Sequence, residues 1–457
     1  MRYFKNVFPA AVLLFMFCGV SAAFDEGDRM PNFGLPCSDG EYYTLSGVCG
    51  SSDVVVFTFF DSQCKPCRKE LPLVQAVRKK YMAGNVLFFM VAVGEESDKV
   101  EACIREWGIE IPVLEDTSCT LAKKCDVVVG SIKNIPRTVV VGRDGRVKKI
   151  FKGYHADMEQ ALSNVIKQAL AEKVVRQKSV RVLYTNSANG IIEACDCPNN
   201  PYGGLIRRLT FFSKTAKADL KISAGDFFSP NDESIKNEYV AKIMDKLGYD
   251  AVGLGDQEFK TGTGFFIDIL KKYPLPVVCA NMQVCDEKSC FFLGNPYIIK
   301  DVNGVKVGIT GVVSQSCFLF YPKKVKEMLK FTQTYIDALN SVVPELRKKK
   351  CDIVFVIAHV NEQELREIRE KIQDIDVIFT GHTQNKIYIA GKPVVVQAGA
   401  AGRCVGELLA EIDSAGKLSF SNEFFSLTNE IKKDEWGLSQ SEEYLIKYKK
   451  SLETIKK

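Results

Sequence analysis

The chain has 457 residues, of which 46% are apolar and 26% charged, a length and composition that suit two or three globular domains with ordinary cores. Its formal net charge is +5, with 61 Lys and Arg against 56 Asp and Glu scattered along the sequence. No block of basic residues stands out, so a nucleic-acid partner is not expected.

The first predicted element is a leader over residues 1–23. Arg2 and Lys5 supply positive charge, an apolar run extends from Val7 to Val20, and Ser21-Ala22-Ala23 offers the small residues of a cleavage site. The run falls short of the about 20 residues of a comfortable membrane span, although an uncleaved anchor is the alternative reading. Cys18 follows the bulky Phe15-Met16-Phe17, which argues against lipidation. The expected location is exported, periplasmic or otherwise extracytoplasmic. Export permits disulfides; of 16 Cys, Cys18 lies in the leader and 15 follow it, so at least one lacks an internal partner.

A strand–helix rhythm follows. Val54 to Phe60 is a continuous apolar run, as in a strand buried on both faces. Helical spacing covers Cys67 to Tyr81, and Val86 to Val93 reads as a second strand. Val139-Val140-Val141, Gly142-Arg143-Asp144-Gly145 and Val147 to Phe151 read as a hairpin with an Asp-Gly turn. An amphipathic helix spans Met158 to Val174, and the charged segment Glu172 to Lys178 marks a domain boundary. The first domain is therefore expected over 24–172.

A second series opens at Val180 to Tyr184 and continues through strands at Leu220–Ser223, Ala251–Gly253, Val277-Val278, Val305–Ile309, Ile353–Ile357, Val377–Phe379 and Val394–Val396. This predicts a second α/β domain over 180–432. A charged amphipathic helical tail over 433–457 completes the chain.

Cys64-Lys65-Pro66-Cys67 falls between a buried strand and a helix. At a helix start the free N–H groups and the helix dipole favour a thiolate on Cys64, and Cys67 is spaced to resolve a mixed disulfide. Pro66 suits an early helical position, where an N–H is unpaired in any case. Half of a zinc site or a structural disulfide are the competing readings, but no second Cys-x-x-Cys completes a zinc ribbon. With Pro31-Asn32-Phe33, Ser38-Asp39-Gly40, Arg68-Lys69-Glu70-Leu71-Pro72 and Ile135-Pro136-Arg137-Thr138, the segment from Phe24 to Glu172 resembles the thioredoxin-like family, in its exported disulfide-reductase and redoxin branch. The resemblance implies a thioredoxin fold, a Cys64/Cys67 redox pair needing no cofactor, and Pro136 as the cis-proline beside it. Implied partners are exported thiol or disulfide proteins and small thiols, with room for a membrane-linked electron donor. Gln63 stands where the family commonly has Trp, and Asp61 where a peroxiredoxin has Thr. Cys119 and Cys125 read as a further bridge, a relay or two buried thiols.

In the second domain the strand ends carry Tyr184-Thr185-Asn186-Ser187-Ala188-Asn189-Gly190, Gly225-Asp226-Phe227-Phe228, Gly255-Asp256-Gln257-Glu258-Phe259, Ala280-Asn281, Ala358-His359 and Gly381-His382-Thr383-Gln384. Loops after parallel strands are where α/β folds gather polar ligands. Two of the chain's three His fall in these motifs.

The segment Val180 to Lys432 resembles the calcineurin-like metallophosphatases, in their 5'-nucleotidase and UDP-sugar hydrolase branch. This implies an α/β sandwich following the thioredoxin fold. It also implies departures from the family's two-ion chemistry. Ser187 and Asn189 stand at Asp and His positions, Asp256-Gln257 replaces an Asn-His pair, and Gln384 replaces a terminal His. Asp226, Asp256, His359 and His382 remain as ligands for one divalent transition metal. The chain stops about where the family's nucleobase-stacking domain would begin, so nucleotidase specificity is not expected to carry over.

Cys195-Asp196-Cys197-Pro198 follows the first of these motifs, in a loop that the resemblance sets near the metal positions. The pair is open to three readings: a strained, oxidising disulfide, a soft-metal ligand pair, or staples bonded elsewhere. The arrangement is similar to nucleotidase-like proteins whose relatives carry selenocysteine, which favours redox use and thiol exchange between the domains. Cys279, Cys285 and Cys290 read as a local bridge plus a spare thiol. The sequence thus points to a thiol:disulfide oxidoreductase with a degenerate phosphatase-like domain. The competing reading is a metal-dependent phosphohydrolase regulated by a redox module, and a third is a binding protein whose second half does no catalysis.

Overall fold

The computed structural model describes residues 23–172, 178–194, 202–215, 217–285 and 289–455. The apolar run predicted as a strand is the centre of the first domain. Val54–Phe60 pairs in parallel with Val86–Val93, which pairs in parallel with Val113–Asp116. On its other side it pairs antiparallel with Arg137–Gly142, which continues antiparallel into Val147–Lys152. Alternate residues of the central strand serve two cores. Val54, Val56 and Phe60 pack with Cys67, Leu71, Val74 and Met158, while Val55, Phe57 and Phe59 pack with Phe33, Phe89 and Val139. Both faces are covered, which is why this strand reads as unbroken hydrophobicity. Helices Lys65–Tyr81 and Met158–Ala171 lie on the first of these cores. The second helix ends at the domain boundary and the next strand begins at Lys178.

The second domain has four layers. One five-stranded sheet runs in the order Ala251–Val252, Leu220–Ser223, Lys178–Thr185, Cys404–Ile412, Leu418–Ser426. A six-stranded sheet runs Tyr297–Val302, Val305–Val313, Ile353–His359, Val377–Gly381, Val394–Ala398, Lys386–Ile389. Val180, Val182, Tyr184 and Ile222 of the first sheet meet Val307, Phe355, Ile357 and Phe379 of the second in a shared apolar layer. Helices cover the outer faces: Ser234–Leu247 and Thr263–Lys272 on one sheet, Tyr335–Lys348 and Glu362–Lys371 on the other. The C-terminal helix Glu435–Ile455 packs on the first of these, with the Tyr239 and Tyr444 rings 6.0 Å apart.

One expected strand is not formed. Val277 and Val278 make only isolated bridges, to Val252 and Asn295. Pro274 and Pro276 precede them, and a proline has no N–H to give a ladder. Cysteine pairing near it follows expectation: Cys285 and Cys290 form a disulfide and Cys279 is a buried free thiol. Cys119 and Cys125 are free thiols, Cys125 buried and Cys119 half-buried.

The domains touch along strands Cys404–Ile412 and Leu418–Ser426 of the five-stranded sheet. Asn32 Nδ2 donates to Glu407 Oε1 at 2.9 Å, Arg29 pairs with Glu411, and Lys124 pairs with Glu423 at 2.9 Å. Tyr42 of the first domain packs against the core of the second.

Candidate functional site

The chain carries two candidate sites, each beyond the carboxyl ends of parallel strands. In the first, Cys64 caps the helix Lys65–Tyr81 and forms a disulfide with Cys67, with Cα atoms 5.2 Å apart. Cys67 N–H donates to Cys64 Sγ at 3.1 Å. That donor and the helix dipole favour negative charge on this sulfur once the bond is reduced. Cys64 is 8% exposed and Cys67 2%, so Cys64 is the sulfur a partner meets first. It lines a shallow cleft of about 420 Å³ with Asp61, Gln63, Lys65, Pro66, Lys133 and Ile135. The Ile135–Pro136 peptide is cis and Pro136 is buried. Asp61 is engaged by Lys133 at 3.0 Å.

One turn beyond Cys67, on the buried face of the same helix, lies Glu70. Burial pushes its carboxyl from the ordinary 4.5 up to about 7, against a weak opposing contact from the His155 N–H at 3.4 Å. Its Oε2 is buried without a hydrogen-bond partner. The sequence marked Glu70 only as part of Arg68-Lys69-Glu70-Leu71-Pro72 and gave it no role of its own; its spacing of three from Cys67 was the available signal.

The second site draws on four strand ends. Asp226 follows the strand Leu220–Ser223, Asp256 follows Ala251–Val252, His359 ends Ile353–His359, and His382 follows Val377–Gly381. His359 Nε2 lies 3.4 Å from Asp226 Oδ2 and 3.4 Å from Asp256 Oδ1, and His382 Nδ1 lies 3.4 Å from Asp256 Oδ1. The four ligands expected from sequence thus converge. Glu258 holds the two Asp loops in place: its buried carboxylate accepts from the backbone N–H groups of Asp226, Phe227, Phe228 and Gly255 at 3.2, 2.8, 3.4 and 2.7 Å. Gly255 is required here, because a Cβ would sit 2.3 Å from Asp226 Oδ1 and 2.8 Å from His359 Cε1.

Electrostatically the cluster is charge-dense. Burial works against a charged His359 ring, but Asp226 and Asp256 overcome it and push its pKa up to about 9. Burial would raise Asp256, yet contacts with His359, His382 and Tyr321 bring it well below the usual carboxylate range. Desolvation raises Asp226, with His359 opposing. Tyr321 donates to Asp256, its hydroxyl 2.8 Å from the backbone O and 3.0 Å from Oδ2.

A metal ion fits this donor set. With Nδ1–H donated to Ala224 O at 3.2 Å, His359 keeps Nε2 free to ligate, and that Nε2 is buried without a hydrogen-bond partner. Among the described residues the mutually close group able to hold an ion is Asp256, Cys317, His359 and His382, and no sequence motif marked Cys317. The available signal was its place just past the apolar run that begins at Val305.

The remaining expected positions flank the cluster. Ser187 is fully buried with its N–H on Gly225 O at 2.9 Å. Asn189 Nδ2 donates to Gln384 Oε1 at 3.0 Å, so two of the altered positions bond to each other. Gln257 N–H donates to Asp226 Oδ1 at 3.2 Å. Asn281 is spent on the backbone of Val313, donating to its O at 2.8 Å and accepting from its N at 3.1 Å. Ser187, Asn189, Asp226, His382 and Gln384 all have positive φ, between 43° and 76°. Cys195 and Cys197 lie outside the described residues.

Several known proteins resemble parts of the chain. Residues 25–166 match the Redoxin family profile. The chain is 29% identical over 280 residues to an endonuclease, YhcR, of Bacillus subtilis, covering 52% of this chain and 22% of that protein. It is 27% identical over 291 residues to the 5'-nucleotidase of Bos taurus, covering 56% and 50%. The crystal structure of a 5'-nucleotidase precursor from Thermus thermophilus superposes with a TM-score of 0.51 at 24% identity, covering 58% of each chain. The chain spans half or less of the length of these two curated relatives. The first domain is thioredoxin-like, of the Redoxin type, and the second has the calcineurin-like phosphoesterase fold of 5'-nucleotidases.

Proposed function

We propose that the protein is an exported thiol:disulfide oxidoreductase acting through Cys64 and Cys67, with a second domain that binds one metal ion and does not hydrolyse phosphoesters efficiently. The observation that carries the first part is the Cys64–Cys67 bond at a helix start, with Cys64 on an open cleft. In the reduced form the Cys64 thiolate attacks a partner disulfide, releasing one partner sulfur as thiolate and forming a mixed disulfide. Cys67, losing its proton, then attacks Cys64 Sγ, closing the Cys64–Cys67 bond and releasing the second partner thiolate. Two electrons pass to the partner; the reverse sequence oxidises a partner dithiol. Exported thiol or disulfide proteins, small thiols and a membrane-linked donor are the partner classes this chemistry accepts. Pro136, beside Ile135 in the cleft wall, shapes the docking of the incoming sulfur.

Export is supported by the sequence of residues 1–23 and by two disulfides, which persist in oxidising compartments. Among the described residues no helix is long and apolar enough to cross a membrane. Against efficient hydrolysis stand Ser187 and Asn189, which supply neither carboxylate nor imidazole, and Gln257 in place of His. Two-metal hydrolysis needs both ions to clamp the phosphate and activate water.

The test is a Cys67→Ser variant, which strands the mixed disulfide on Cys64. Trapped adducts identified by mass spectrometry from an extracytoplasmic fraction support the reading. A variant that accumulates no Cys64 adduct under any oxidant removes it. Adducts on Cys195 or Cys197 would make the two domains one relay; adducts only on other molecules would make the first domain a general exchanger.

A further inference from the structure

Cys317 belongs to none of the motifs that carry the second-domain resemblance, yet it stands with Asp256, His359 and His382. One ligand atom from each lies within 4.8 Å of the others. Local structure fixes it there. Strand Val305–Val313 runs parallel to Ile353–His359, with Val313 opposite His359. Ser314 N–H then donates to His359 O at 3.0 Å, and Ser314 Oγ caps the short turn Gln315–Phe318. The turn returns Cys317 over the end of the histidine strand, where its Sγ lies 3.7 Å from the His359 carbonyl. Phe318 anchors the turn to the loops around Asp256, its ring 5.9 Å from Phe259 and 5.3 Å from Tyr321.

The donor spacing speaks for a small tetrahedral ion. With bonds of about 2.0–2.1 Å to nitrogen and oxygen, a tetrahedral ion sets its donors about 3.4 Å apart. Asp256 Oδ1 is 3.4 Å from both His359 Nε2 and His382 Nδ1. Two edges of such a tetrahedron are therefore already spaced for the ion, and the two histidines each offer a ring nitrogen within 4.8 Å of the other. Two groups compete for the fourth. Asp226 Oδ2 lies 3.4 Å from His359 Nε2, but Asp226 is not in the mutually close four-donor group and its other oxygen is engaged by Gln257 N–H. The sulfur of Cys317 lies within 4.8 Å of a ligand atom of each of the other three residues, so a small shift of its turn closes the shell.

We infer that the second domain holds one zinc-class ion through Asp256 Oδ1, His359 Nε2, His382 Nδ1 and the thiolate of Cys317, with Asp226 beside the shell as an uncoordinated carboxylate. Thiolate and carboxylate together balance the double charge of the ion, and the thiol proton leaves to solvent on binding. Sulfur and imidazole donors select zinc-class ions over Mg2+ and Ca2+, which require oxygen shells. Four protein donors leave no open position for water or substrate, so the ion acts as a structural tie between the four loops. This rests on the reading of the second domain as a single-ion site and is independent of the Cys64/Cys67 chemistry.

The test is a Co2+ titration of metal-free, full-length protein carrying Cys64→Ser, Cys67→Ser, Cys195→Ser and Cys197→Ser, which removes the other close cysteine pairs able to bind cobalt. The expected result is one cobalt per chain, intense tetrahedral visible bands and a sulfur-to-cobalt charge-transfer band in the near ultraviolet. Zn2+ displaces the cobalt and a large excess of Mg2+ does not. Adding Asp226→Asn keeps the charge-transfer band, and adding Cys317→Ser instead abolishes it. Cobalt bound with no charge-transfer band overturns the role of Cys317 and leaves the single-ion reading standing. No cobalt binding overturns both. The spectrum with Cys317 intact decides by itself, so the outcome survives a Cys317→Ser variant that does not fold.

Discussion

The dithiol and the histidine cluster occupy equivalent places in their sheets but are held in different ways. The dithiol is local: Cys64 and Cys67 belong to one helix start, one behind the other, beside an open cleft. The histidine cluster is assembled from segments as far apart as Asp226 and His382, and both Asp226 and His359 are 1% exposed. A site made by one helix end needs only that end to be correct. A site made by several loops depends on whatever ties the loops, here Glu258 and its four backbone donors. The first must be reached by another molecule's sulfur, whereas the second buries Asp226 and His359 and leaves Asp256 and His382 partly exposed.

The largest effect expected from breaking this comparison is on exchange itself. Cys64→Ser should reduce thiol:disulfide exchange to the background rate, measured as insulin reduction with dithiothreitol, while metal binding by the second domain is unchanged. Loss of metal binding in that variant would show that the sites are not separate. Conversely, His359→Ala removes a central donor and should weaken zinc affinity by at least about 100-fold, read by competition with a chromophoric chelator, with the dithiol still active.

Next in size is the support of the loops. Glu258→Ala leaves buried N–H groups of Asp226, Phe227 and Gly255 without acceptors, which should destabilise the second domain by about 3–5 kcal/mol. Denaturant unfolding followed by domain-specific probes checks this, since the transition of the first domain should not move to the same extent. An unchanged second transition would mean that the loops are tied elsewhere.

A smaller effect separates the two sites by pH. Glu70 has a folded-state pKa raised to about 7 from 4.5. The folded state therefore binds this proton more tightly than the unfolded chain. The stabilisation is complete below the unfolded value and is lost as pH rises through the folded one. First-domain stability should fall across that window, and Glu70→Gln should flatten the slope, recovering about 1–3 kcal/mol at pH 8. A slope that persists in the variant would assign the dependence to another group.

Legibility in the sequence followed the same division. The first sheet was readable because its central strands are buried on both faces and carry unbroken apolar runs, as in Val54–Phe60 and Val86–Val93. Strands Cys404–Ile412 and Leu418–Ser426 were not. The first carries Glu407 and Glu411, which pair with Arg181 and Arg29, and the second is half-exposed along most of its length. Asp226, Asp256, His359 and His382 were legible because each sits in a glycine- or alanine-flanked strand end. Cys317 was not, because only the turn after Val313 brings it over the histidine strand. Nor was Glu258, whose role lies in the backbone groups it binds rather than in the site it adjoins.

The left-handed residues around the second site bear on heat resistance. Five non-glycine residues, Ser187, Asn189, Asp226, His382 and Gln384, hold a backbone shape that L-amino acids disfavour by roughly 1 kcal/mol each. Gln384→Gly relieves that strain at one of these positions while giving up the contact to Asn189. A gain of about 1 kcal/mol, seen as a melting temperature higher by a few degrees, would show that this corner of the molecule sits below its attainable thermal ceiling. The shape of the histidine cluster, rather than endurance, would then be what these five residues are kept for.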